Sequence, residues 1–189
     1  MILAYLILSH LLGDFVFQPS KLVVWKMKSI YGILVHVLVH ITVMTLLLLP
    51  LIICGNLWLL GLIAIINLVH FIVDQAKISY DLKHDIKVIP FVIDQLLHFT
   101  TILVGILITN HYTLRIPQTE YFSYYSSIKT VTFISLMVFV SKVVEVYFYE
   151  KQLEKDKTAK IKFRNKNMIW RMLIFGLMYV SITGVVFYM

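Results

Sequence analysis

The chain alternates between apolar runs of about 20 residues and short polar breaks, a spacing set by the hydrocarbon thickness of a bilayer rather than by a soluble core. The runs predict helices at about Ile2 to Phe17, Ile30 to Cys54, Leu57 to Ala76, Val88 to Asn110, Ile128 to Tyr149 and Met168 to Tyr188. Pro19 and Ser20 stop the first, which is short for a span. Pro50 with Gly55 and Asn56 makes a tight second turn, and Pro90 sits in the first turn of the fourth helix, where proline is tolerated. The pattern predicts an all-α membrane protein of six transmembrane helices. Residues 1–189 form one membrane domain, with a four-helix core over 1–110 and two accessory helices over 128–189.

Composition agrees: 60% of the 189 residues are hydrophobic and 14% charged, far from the balance of a soluble domain. The formal charge of +7 does not point to nucleic acid, because the basic residues sit in short loops between the runs. Lys21, Lys26 and Lys28 occupy the first loop, Lys77, Lys83 and Lys87 the third, and a run from Lys151 through Lys166 to Arg171 the fifth. The opposite side offers only Arg115 and Lys129, around the tyrosines 121, 124 and 125 of an aromatic belt. By the positive-inside rule both termini face outward. The start, Met1 to Ser9, is apolar like a signal peptide but lacks a basic leader and a small-residue cleavage site, so it reads as a retained first span. Cys54, the only cysteine, leaves no disulfide or thiolate cage.

The polar residues inside the first four runs are not scattered. His10 pairs with Asp14, His36 with His40, His70 with Asp74 and Asp94 with His98, always four residues apart. That spacing puts both members on one helix face, as two ligands of one ion or neighbours in a dinuclear site require. Each pair falls toward the basic-loop end of its helix, so four pairs meet at one depth. HLLGDF followed by HVLVH returns as HFIVDQ followed by DQLLH, which suggests a duplicated helical hairpin whose copies face each other around a polar cage.

A charge at mid-membrane costs about 3 kcal/mol even on lenient insertion scales, so these groups need a partner. Hydrogen-bonded packing between helices or a proton relay would provide one, and a divalent metal would provide a better one. Five imidazoles and three carboxylates without sulfur suit zinc, with manganese or iron as alternatives, and eight donors suffice for two ions. Gln18, Asn67, Gln75 and Gln95 lie near these pairs, either as partners orienting the ligands or as helix-packing amides. Lys21 and Lys77, seven and three residues beyond their aspartates, are candidates to bind a lipid headgroup or simply snorkel to the interface. Asp14 and Asp94 are the candidate catalytic bases, and spacing alone does not separate ligand from base.

The motif H-L-L-G-D-F-x-x-Q at His10 to Gln18, the paired histidines, and D-Q-x-x-H at Asp94 to His98 resemble an uncharacterised bacterial membrane-protein family filed as domain of unknown function 3307. The likeness covers about Met1 to Gly105 and implies a bacterial inner (plasma) membrane location without implying a reaction. The leading expectation is a metal-dependent hydrolase cleaving a membrane lipid ester or phosphoester at the cytoplasmic leaflet. Alternatives are a dinuclear iron lipid oxidase or hydroxylase, a metal or proton transporter, and an assembly protein that uses the cage structurally. The chain leaves the oligomeric state open.

Overall fold

The computed structural model describes residues 1–156 and 170–179, which contain no β-strand. Helix α1, Ile2–Phe15, spans only 14 residues, about 21 Å at the α-helical rise and short of a bilayer core of about 30 Å. After Pro19 the chain turns by 84° into α2, Ser20–Lys28, so the pair forms either one broken span or a re-entrant segment. Helices α3, Ile30–Ile53, α4, Trp58–Asp81, and α5, Val88–Thr109, are each long and apolar enough to cross a membrane. A short α6, Glu120–Tyr125, leads to α7, Ile128–Val138, which continues through a π-helical turn, Phe139–Val143, into α8, Val144–Lys155. Together α7 to α8 make a fourth candidate span of 28 residues.

The chain is therefore multi-pass: the described residues hold four such helices, or five if α1 and α2 count as one. The lysine-bearing first loop is helical, because Leu22 gives α2 one buried apolar residue to seat against α3. The expected last span, Met168 to Tyr188, lies largely outside the described residues, of which 170–179 are helical. Helix α4 also runs past the expected Ala76 to Asp81, carrying Lys77 on its last turns.

Helices α1, α3, α4 and α5 pack in a closed ring, each touching the next and α5 returning to α1. One end of this ring is dry and apolar, filled by Leu6, Met44, Leu48, Leu51, Leu59 and Ile102, all essentially without solvent contact. The outward faces carry exposed large hydrophobics such as Leu38, Leu46, Ile65, Leu68 and Leu107, an apolar surface suited to contact with lipid. Gly32 lets α2 approach α3 closely, since a Cβ there would lie 2.5 Å from the Lys26 backbone nitrogen. The closeness directs Lys26 into the polar end of the ring.

If α3 crosses the bilayer, Lys21 and Leu57 lie on opposite sides of it. In a Cys54→Ser background, Lys21→Cys and Leu57→Cys should react with a membrane-impermeant maleimide from opposite faces of sealed cells. Labelling of both from one face would contradict the crossing.

Candidate metal centre

The polar end of the ring is built by the four pairs. His10 and Asp14 come from the last turns of α1, His36 and His40 from the first half of α3, His70 and Asp74 from the later half of α4, and Asp94 and His98 from the start of α5. All eight are within reach of one another's neighbourhood, and His36 and His40 are fully buried.

At the centre stands Asp14. Its Oδ1 lies 3.0 Å from His36 Nε2 and 3.0 Å from His40 Nε2, with His70 Nε2 at 3.8 Å. The Nε2 atoms of His36 and His70 are themselves 3.2 Å apart. Two such nitrogens can share at most one proton, yet both face the same carboxylate oxygen. A tetrahedral ion with ligand bonds of about 2.0–2.1 Å holds its ligands about 3.3 Å apart, and these separations straddle that value. Asp14, His36, His40 and His70 thus offer one atom each to a common point and can hold a metal ion. A second group, His70, Asp74 and His98, also has its donor atoms within 4.8 Å of one another. It shares His70, whose Nδ1 lies 3.1 Å from His98 Nδ1 while its Nε2 faces His36.

Surrounding side chains fix these donors. With its amide oxygen turned toward α2 and α3, Gln18 accepts from His36 Nδ1 at 3.0 Å and from Lys26 Nζ at 2.8 Å, and its nitrogen donates to the Asp14 carbonyl at 3.2 Å. The same oxygen lies 3.3 Å from His36 Nε2, so Gln18 holds the edge of the ring between its two nitrogens. Gln95 donates to Asp14 Oδ2 at 3.3 Å and to Asp94 Oδ2 at 3.0 Å, and its oxygen lies 3.3 Å from His10 Nε2. His40 Nδ1 has no hydrogen-bond partner among the described residues, and the ring takes the space left by the missing side chain at Gly13. A Cβ at Gly13 would lie 2.5 Å from both His40 Cε1 and Nε2.

Several expected residues stand elsewhere. His10 lies outside both groups: one turn deeper than Asp14, it meets that residue's other oxygen at 3.5 Å and packs edge-on against Phe99. Asp94 is also outside them; its buried Oδ1 faces His98 Nε2 at 3.3 Å. Of the four amides, Gln18 and Gln95 join the cluster. Asn67 instead bonds to the Ile63 carbonyl and the Met44 sulfur, and the Gln75 oxygen finds no partner among the described residues. Lys21 is exposed on the outer side of α2.

Below the cluster, toward the loops of α2 and α8, a cavity of about 110 Å³ opens, with Asp14, Lys26, Asp74, Lys77, Asp94 and Glu150 in its wall. Lys77 is paired with Asp81 at 3.2 Å, while Lys26 Nζ reaches 3.1 Å from Asp74 Oδ2. Lys26 carried no signal beyond its charge, because only the bend after Pro19 turns it inward.

Over residues 2–132 the chain matches the family described as "Protein of unknown function (DUF3307)". No curated protein and no solved structure matches it.

Gly13→Ala should displace the His40 ring and lower zinc retention at least tenfold, measured by elemental analysis of the purified protein against a chelator series. Unchanged retention would show that His40 is not held by this gap.

Proposed function

The chain belongs to this family, and we propose that it is an intramembrane metal-dependent hydrolase acting on a lipid ester or phosphoester. The observation that carries the reading is the convergence of one carboxylate and three imidazoles from α1, α3 and α4 on one buried point, beside a cavity open toward the basic loops. Asp14, His36, His40 and His70 would hold the ion. The nitrogen-rich donor set favours zinc, with manganese or iron as alternatives. A divalent ion there supplies Lewis acidity, making water more acidic and polarising a carbonyl or phosphoryl oxygen.

The remaining steps belong to the protein. Asp94 would take the proton from the attacking water at Oδ1, the oxygen that faces His98 Nε2 at 3.3 Å, since Gln95 holds the other oxygen and the residue lies outside both ligand groups. Gln18 orients the His36 ring. Lys26 and Lys77 stand in the cavity wall, paired with Asp74 and Asp81, where Lys21 and Lys77 were the expected headgroup lysines. The cavity faces the loops richest in lysine, so the substrate comes from the cytoplasmic leaflet of a bacterial inner membrane, with both termini outside. We read α1 with α3, and α4 with α5, as two copies of one hairpin.

A transporter would need a polar route through the other end of the ring, where Leu6, Leu48, Leu51 and Leu59 close the path. A dinuclear iron oxidase would favour carboxylates bridging two ions, and the groups here share an imidazole instead.

Purified wild type, His40→Ala and Asp94→Asn should be compared for metal content and for turnover of a panel of lipid esters and phosphoesters. The expected outcome is that His40→Ala loses metal and activity together. Asp94→Asn should keep its metal and lose activity by about 100-fold or more, the scale of a general base. Metal-free wild type, or hydrolysis indifferent to both changes, would end the proposal.

A further inference from the structure

The two ligand groups are not equivalent, and the difference lies in Lys26. The second group borrows from its surroundings: His70 already turns Nε2 toward the first group, and Asp74 Oδ2 is held by the Lys26 ammonium at 3.1 Å. The same Asp74 oxygen lies 3.4 Å from His36 Nε2, so the ammonium stands immediately beside the first group. The Lys26–Asp74 contact is well covered, with side-chain exposures of 14% and 4%. It is also built in. Gln18 accepts a second Lys26 hydrogen bond at 2.8 Å, and Gly32 allows α2 to rest on α3 at the distance this reach requires.

Charge balance gives the arrangement its meaning. Three aspartates, Asp14, Asp74 and Asp94, face the buried cluster and cavity, while Lys77 is occupied by Asp81 and Glu150, in the cavity wall from α8, belongs to neither ligand group. One divalent ion together with one ammonium neutralises three carboxylates. A second divalent ion added to Lys26 would leave two net positive charges in a low-dielectric interior, an arrangement such an environment strongly disfavours.

We propose that the centre holds a single divalent ion, bound by Asp14, His36, His40 and His70, and that the Lys26 ammonium occupies the place of a second cation at Asp74. The proposal rests on the metal-centre reading above and specifies its composition. Asp74 is then the counterion of Lys26 rather than a ligand, and His70 ligates through one nitrogen only. Removing the ammonium leaves negative charge uncompensated beside His98 and opens the second group to another ion.

Untagged wild type, Lys26→Arg, Lys26→Gln and Asp74→Asn, equilibrated with zinc and freed of unbound metal, should be compared for zinc per chain by elemental analysis. Wild type, Lys26→Arg and Asp74→Asn should carry about one ion each and Lys26→Gln about two, since only the last vacates a three-donor group of the kind that holds zinc. Two ions in wild type, one in Lys26→Gln, or loss of the ion in Asp74→Asn would each overturn the single-ion arrangement while leaving a metal centre in place. No zinc in wild type would overturn the metal centre itself. If Lys26→Gln does not fold, wild type and Asp74→Asn still decide the matter through their own counts.

Discussion

Asp14 Oδ1 is the point on which this protein is organised. In a bilayer interior a carboxylate must be neutralised where it stands, and three imidazole nitrogens from two other helices approach this one oxygen to within 3.0 to 3.8 Å. The approach dictates much of the local sequence. Gly13 precedes the aspartate because any side chain there would strike His40. Gln18 follows one turn later, past the end of α1, to orient His36. Gln95 crosses from α5 to hold the second Asp14 oxygen and to tie it to Asp94. The motif H-L-L-G-D-F-x-x-Q is thus a set of contacts around one carboxylate rather than a string of independent ligands.

The rest of the ring follows from separating this polar end from an apolar one. Leucines and Met44 fill the middle of the far half, while the near half opens into a cavity shared by α1, α2, α4, α5 and α8. Such asymmetry fits chemistry on a molecule reached from one leaflet better than passage across both. It also explains why α1 can be short: the bend into α2 is what brings Lys26 back under the cluster, and a straight, full-length span would carry it away.

The four i, i+4 pairs made the polar end legible in the sequence, because helical periodicity alone places both members of each pair on one face. Periodicity does not say which member reaches the common point. His10 and Asp94 share their faces with Asp14 and His98, but a turn of offset in depth sends each to the edge of the cluster. Asn67, one turn before His70, looked equally well placed and is absorbed by the Ile63 carbonyl and Met44. Lys26 was hidden for a different reason. A lysine in a charged segment reads as a solvated topology signal, and its inward course depends on an 84° bend and on a glycine in another helix. Asp94 and Gln95 are adjacent in sequence, about 100° apart on the helix, yet both turn inward because α1 and α4 close on α5 from two sides.

The central claim is that one carboxylate and three imidazoles grip one ion. X-ray absorption at the zinc edge of the loaded protein tests it most directly. The account predicts four light-atom ligands at about 2.0–2.1 Å with the outer-shell scattering of about three imidazoles and no sulfur. A spectrum lacking imidazole scattering, or showing an ion surrounded by water oxygens, would contradict it.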